Sequence, residues 1–178
     1  MLKKISLYVG IVILLILGYL TYAGIFNKAI AVEGEEGGYK LIGIDHKGAY
    51  KNIGKTFKNF RDAVEKVGLK NQKFAGVYFD DPKTVKEENL RSFAAVIIQN
   101  EEDAKKLLQI EGAHTFDIEK GHAVICDMKS NNIVSMIIAI SKAYPALGEY
   151  AEKHPFKTAP KHFYELYKDD TIRFVMQF

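Results

Sequence analysis

The apolar positions between residues 53 and 67 recur every three or four residues, which is the spacing of one face of a helix. They are Ile53, Phe57, Phe60, Val64 and Val67. Gly68 follows at once, and glycine commonly ends a helix. The pattern therefore predicts an amphipathic helix over 53–67.

Shorter apolar or alternating runs predict strands. They cover 39–44, 74–79, 91–99, 122–128, 162–167 and 171–178. A short helix is predicted over 101–110. A second long helix starts at Ile133, and we expect Pro145 to break or restart it because proline lacks the backbone N–H that a helix needs.

Displacing the chain by about 76 residues aligns His46 with His122 and Phe57 with Ile133. One strand-helix-strand-strand unit is thus predicted to occur twice. The predicted fold class is α+β, with the duplicated units forming a curved, mainly antiparallel sheet and both helices on one face. We expect the other face to be concave, with a ligand cleft between the two halves.

The N-terminal segment has no charged residue from Ile5 to Asn27. That length suits a helix crossing a bilayer of about 30 Å of hydrocarbon. The prediction is a transmembrane anchor over 1–28, a linker over 29–38 and a ligand-binding domain over 39–178. A cleaved signal peptide is the alternative, because the start is basic and Ala-Ile-Ala at 29–31 resembles a cleavage site.

The charges beside this segment predict its orientation. Lys3 and Lys4 precede it, and Lys28 alone follows. Positive charge favours the cytoplasmic side. We therefore expect a single-pass signal-anchor protein with its domain on the exoplasmic or periplasmic side, the cytosolic side being the alternative.

Composition narrows the classes of partner. The 48% hydrophobic and 26% charged residues are those of a globular protein, and the net charge of +3 is spread along the chain. Without a basic stripe or a nucleic-acid-binding motif, no nucleic acid partner is expected. Cys126 is the single cysteine, so no intramolecular disulfide can form. No metal site and no cofactor are predicted.

Three segments carry a resemblance to a known family. They are HKGAY at 46–50, GVYFDDP at 76–82 and FYELY at 163–167. Together they resemble the GyrI-like small-molecule-binding domains, and with the apolar helix and YPALGEY at 144–150 they are most similar to the membrane-anchored branch typified by the testis-expressed ER-phagy receptor. The resemblance implies a cytosolic domain, contrary to the charge argument. At 126–130, CDMKS departs from the family's second H-x-G-x-Y motif.

Glu165 is the main candidate ligand contact. Strand alternation places Phe163, Glu165 and Tyr167 on one face, and a carboxylate among aromatic rings can bind an amphipathic cation. An ordinary exposed glutamate fits the same pattern. The resemblance implies that the glutamate of this motif faces the ligand cleft.

Three further residues are candidates for the ligand site: His46 and Tyr50 at the cleft rim and Tyr78 along its wall. The alternatives are that His46 and Tyr50 belong to a polar turn and that Tyr78 only packs in the core or on the sheet surface. Two other functions stay open, a protein-interaction module at the membrane and a small hydrolase using Glu165 with a neighbouring tyrosine. The sequence favours a binding domain over an enzyme, and the hydrolase is the only enzymatic alternative. Asp80 and Asp81, before Pro82, are interpreted as a strand-exit turn rather than a catalytic pair.

Overall fold

The computed structural model describes residues 2–178, with side chains from residue 5 onward. The helices are α1 (Leu2–Tyr22), α2 (Ile53–Lys66), α3 (Glu101–Leu107) and α4 (Ile133–Lys153). The strands are β1 (Ala31–Glu36), β2 (Tyr39–Lys47), β3 (Phe74–Tyr78), β4 (Arg91–Ile97), β5 (His114–Ile118), β6 (Gly121–Lys129), β7 (His162–Tyr167) and β8 (Thr171–Gln177). The α+β class and the N-terminal apolar helix are as predicted.

Two strands and one helix differ from the predictions. β1 lies inside the predicted linker 29–38, and β5 follows α3 where no strand was expected. The predicted break at Pro145 is wrong, because α4 continues through it to Lys153. Asn132 and Ser135 form a capping box that starts this helix, and Ala139, Ala143 and Leu147 are fully buried on both sides of the proline. Packing on the sheet thus holds the helix together across one missing N–H.

All eight strands form one antiparallel sheet in the order β1-β6-β8-β7-β3-β4-β2-β5. Its two halves have the same connectivity, and each half's first strand pairs within the other half, β1 with β6 and β5 with β2. β2 begins at Tyr39 and β6 at Gly121, 82 residues later, whereas β4 and β8 begin 80 residues apart. The offset of about 76 residues is therefore too short, and His46 and His122 occupy different strand positions.

The long helices α2 and α4 both cover one face of the sheet. α2 packs on β2 and β4, whereas α4 packs on β1, β6 and β8. The two central strands, β3 and β7, lie beneath the gap between the helices. We call this gap, floored by β3 and β7, the interhelix trough.

The opposite, helix-free face is not the open cleft that we expected. It is filled by buried apolar side chains that include Leu41, Phe93 and Tyr164. The sheet curls until β5 reaches β7, and the rings of Phe116 and His162 lie 5.9 Å apart. A ligand site must therefore be sought on the helix side.

Two tight connections join the halves, Gly37–Gly38 between β1 and β2 and Glu119–Lys120 between β5 and β6. The buried Gln177 side chain donates hydrogen bonds to the backbone carbonyls of Glu36 (3.2 Å) and Glu119 (2.7 Å). Gly37 has a φ of +113°, and a Cβ there would lie 2.1 Å from the Glu119 carbonyl oxygen. The two connections are thus held together by one amide side chain.

Helix α1 projects from the domain. Its segment Ile5–Tyr22 is long and apolar enough to cross a membrane, as a membrane span or a signal sequence can be, and none of it is buried. Its C-terminal end is attached to the domain, because Lys142 Nζ on α4 donates to the carbonyls of Ile25 (2.5 Å) and Asn27 (2.8 Å). Lys129 Nζ lies 5.5 Å from the centre of the Tyr22 ring.

Candidate functional site

The Glu165 carboxylate lies in the middle of the interhelix trough and accepts hydrogen bonds from three tyrosine hydroxyls. Tyr144, on α4, donates to Oε1 at 2.7 Å. Tyr78, on β3, and Tyr167, on β7, donate to Oε2 at 3.0 Å and 2.5 Å. The residue is only 2% exposed. We call these four residues the tyrosine-glutamate cluster.

This buried carboxylate has no cationic partner in the part of the chain that the structure describes. The contrast is Glu36, the other buried acid, whose carboxylate pairs with the Arg173 guanidinium at 2.7 Å. Burying a carboxylate is costly unless its charge is compensated. Hydroxyl donors supply hydrogen bonds to Glu165 but no positive charge.

Burial shifts the titration of the whole cluster. It raises the pKa of the Glu165 carboxyl, and the hydrogen bonds from the tyrosine hydroxyls oppose this rise only in part. Burial and the nearby Glu165 charge raise the pKa of all three tyrosines well above the usual value. The hydroxyls therefore remain protonated donors.

Aromatic rings surround the cluster on both sides. Phe163, next on the same face of β7, contacts Tyr144 with ring centres 6.2 Å apart. Phe57 from α2 meets the Tyr167 ring edge-on at 5.4 Å. Tyr50 packs edge-on against Tyr78 at 5.0 Å. These rings form an aromatic shell around the Glu165 carboxylate.

A buried hydroxyl lies one strand away from the cluster. Ser92 on β4 is opposite Tyr78 in the β3–β4 register and is 1% exposed. Among the described residues its Oγ has no hydrogen-bond partner. Buried polar atoms are normally paired, so Ser92 is a further polar group available at this end of the trough.

The structure gathers most of the residues predicted for the ligand site. Phe163, Tyr78 and Tyr167 surround Glu165, and Tyr50 contacts Tyr78 in a second layer. His46 lies apart: its ring bonds Thr56 Oγ1 (2.8 Å) and the Ala49 carbonyl (3.3 Å). Its position indicates a role in holding the turn before α2.

Tyr144 is a member of the site that the sequence analysis did not predict. Its partner is 21 residues away on another element, so local spacing carries no signal for the contact. The interpretation of Asp80 and Asp81 as a turn is confirmed. Asp80 accepts from the Arg91 guanidinium and backbone, and Asp81 Oδ1 accepts from the Lys83 N–H.

Comparison with solved structures finds the same fold in proteins of low sequence identity. An integron cassette protein of Vibrio cholerae is 12% identical, with a TM-score of 0.60 over 84% of this chain and 97% of that one. EcmrR, in a complex with DNA, is 15% identical, with a TM-score of 0.59 over 99% and 68%. SAV2435 bound to tetraphenylphosphonium is 13% identical, with a TM-score of 0.54 over 83% and 92%.

No curated protein matches this chain. The model of one protein family does match it, over residues 35–173, which is most of the domain described above. The family is that of the GyrI-like small-molecule-binding domains. The chain belongs to this family.

Proposed function

We propose that the interhelix trough binds a small amphipathic cation, with Glu165 as its charged contact. The observation that carries this proposal is a buried carboxylate that accepts three hydroxyl hydrogen bonds and lacks a cationic side chain. An incoming cation would supply the missing positive charge. The neighbouring tyrosine and phenylalanine rings would contact its apolar groups and its charge.

Several features support a lipophilic ligand. The aromatic side chains nearest the carboxylate are Tyr78, Tyr144, Tyr167, Phe57 and Phe163. Binding requires these side chains to move, because Glu165 is closed over. The fold is also that of a protein solved with tetraphenylphosphonium, a lipophilic cation that provides a suitable probe.

The test is titration of the full chain, in detergent micelles, with tetraphenylphosphonium by calorimetry. Glu165→Gln removes the charge at nearly the same volume. We expect its Kd to be at least about tenfold higher, the equivalent of about 1.4 kcal/mol. Glu33→Gln, at an exposed acid, is the matched control and should bind as the unsubstituted protein does. Equal binding by Glu165→Gln overturns the proposal.

Two alternatives have an observation in their favour. The closed cover over Glu165 suits a protein-interaction module whose trough no longer opens. A buried glutamate beside Tyr78 and Tyr167 is what a small hydrolase would need for proton transfer. Failure of every cationic probe to bind would favour the first, whereas Glu165-dependent turnover of an activated ester would establish the second.

We also propose that α1 is a retained signal-anchor, with the domain on the exoplasmic or periplasmic side. Lys3 and Lys4 against Lys28 support that side. Digestion of sealed vesicles with protease tests the orientation. In vesicles whose cytosolic face is outward, the protease would cut a domain on the cytosolic side and leave a luminal or periplasmic domain intact. The absence of a nucleic acid partner stays a prediction.

A further inference from the structure

A groove opens at one end of the interhelix trough, directly beside the tyrosine-glutamate cluster. Its volume is about 270 Å³, close to the lower limit for ligand pockets. Val64, Leu69, Phe74 and Tyr167 form its apolar part, and polar side chains of α2 and of the β7–β8 turn form its rim. Tyr167 therefore separates an open groove from the buried Glu165 carboxylate.

The N-terminal half of α4 carries an exposed apolar stripe along the same trough. Ile133, Ile137 and Ile140 are 69%, 59% and 36% exposed. With Tyr144 they have the spacing of one helix flank. Tyr144 points to Glu165, which directs this flank towards the trough. The three neighbouring isoleucines form an apolar surface on this flank, and exposing such a surface to water is unfavourable.

The groove and the isoleucine stripe lie at the end of the sheet to which α1 is attached. Lys129, against the Tyr22 ring, is the last residue of β6 and pairs with Thr171 at the start of β8. The β7–β8 turn supplies Lys168 and Asp169 to the groove, and its Asp170 carbonyl accepts from the Ser130 N–H at 2.7 Å, just before α4 begins.

We propose that this end of the domain rests on the bilayer surface, with Ile133 and Ile137 in the lipid interface, and that the groove beside Tyr167 admits an amphipathic cation from the membrane. The proposal rests on the proposed function for its ligand and on α1 as the anchor. Continuity with α1 identifies the occupant of the isoleucine stripe as lipid. Phe26, 74% exposed, is a further exposed apolar side chain just after α1.

A membrane route explains why the groove and the stripe lie at the same end of the sheet. Lipophilic cations concentrate at the bilayer interface, where the apolar part of the molecule leaves water. From there a path to Glu165 leads through the groove and past the Tyr167 ring. The Tyr167 hydroxyl must release Glu165 for the cation to reach the carboxylate, so Tyr167 acts as the gate.

The chain contains no tryptophan, so a single introduced tryptophan reports its own surroundings. The experiment places Ile137→Trp in the full chain reconstituted into vesicles with brominated phospholipids, which quench nearby indole fluorescence. Glu88→Trp is the matched control, since the exposed Glu88 lies near the start of β4, at the opposite end of the sheet. We expect at least twofold stronger quenching at position 137.

Equal quenching at the two positions, or none at 137, overturns the membrane contact whether or not any ligand binds. The route is tested separately with Ile137→Gln, and Glu149→Gln, at an exposed position on another side of α4, is its control. We expect Ile137→Gln to slow uptake of a fluorescent lipophilic cation from loaded vesicles at least fivefold, with its Kd for tetraphenylphosphonium within twofold of the unsubstituted protein. Unchanged uptake overturns the route, whereas intact binding by Glu165→Gln refutes the proposed function alone.

Discussion

Tyr144 on α4 and Glu165 on β7 are joined by a hydrogen bond of 2.7 Å that links the helix layer to the sheet. It is the contact through which α4 closes over the buried carboxylate. Tyr78 and Tyr167 complete the cover from the sheet itself. On the α4 side, the carboxylate is uncovered only when α4 or Tyr144 moves, whereas on the groove side Tyr167 covers it.

Removing the Tyr144 hydroxyl should weaken the closed form. We expect Tyr144→Phe to lower the free energy of unfolding by about 1–2 kcal/mol, because a buried hydrogen bond to a carboxylate is lost. Urea denaturation in micelles measures the change. Tyr150→Phe is the control on the same helix, since the Tyr150 hydroxyl donates only to the exposed Glu33 at 3.3 Å. A loss as large at Tyr150 would contradict the special role of the cluster.

The raised pKa of Glu165 predicts how stability depends on pH. A carboxyl whose pKa is higher in the folded than in the unfolded protein binds more protons when folded, so its contribution favours folding at low pH. That contribution is lost as pH rises from the ordinary value of 4.5 through the folded pKa. We therefore expect the free energy of unfolding of Glu165→Gln, relative to that of the unsubstituted protein, to increase as pH rises.

Denaturation of both proteins between about pH 4 and pH 8 tests this difference, and shifts of all other groups cancel in the comparison. A difference that stayed constant across this range would show that Glu165 titrates as an ordinary exposed acid. If instead the unsubstituted protein became more stable relative to Glu165→Gln as pH rises, the effect of the tyrosine hydrogen bonds on the Glu165 pKa would outweigh that of burial.

Gly43 should be intolerant of a side chain. A Cβ there would lie 2.2 Å from the Ala94 carbonyl oxygen and 2.6 Å from Ala95 Cα on the neighbouring strand. Because the clash is with backbone, we expect Gly43→Ala to cost about 3 kcal/mol or more. Gly54→Ala is the control: it lies in α2 with open space around it and should raise stability by about 0.5 kcal/mol. Thermal unfolding of both variants provides the measurement.

The bonds from Lys142 should protect the junction between α1 and the domain. Lys142→Met removes the donor to the Ile25 and Asn27 carbonyls while keeping most of the side chain's length. We expect trypsin to cut after Lys28 several times faster in this variant, as judged by the rate at which the intact chain disappears. Lys153→Met, at an exposed pair with Glu149, should leave the rate unchanged.

Much of the fold was predictable because its periodic segments pack in the way that their spacing indicates. α2 and the six predicted strands are present within a few residues. The sequence of β1, AVEGEE, predicts a linker because it is acidic, contains glycine and has little alternation, and because edge strands bury few residues. β5 is a five-residue edge strand with a single buried residue. Neither strand carries a local signal, since each is specified by pairing with the other half.

The candidate site was predictable only where its members share a strand. Alternation places Phe163, Glu165 and Tyr167 together, and the structure agrees. The face of the sheet that carries the site was not predictable, because alternation cannot distinguish the helix-covered face from the helix-free one. For the same reason Tyr144 was missed: only the tertiary packing of α4 brings its hydroxyl to Glu165.

The exchange of first strands between the halves governs how the chain can fold. Ala31 pairs with Cys126, 95 residues later, so the outermost pairing on that side has to wait for most of the domain to be synthesised. Neither half can complete its own sheet, and separate halves would expose unpaired strands that invite swapping between molecules. Such distant pairing raises contact order, and we expect slow folding, on the order of milliseconds to seconds. The Gln177 bonds to both connections would then form late, when each half's first strand has paired with the other half.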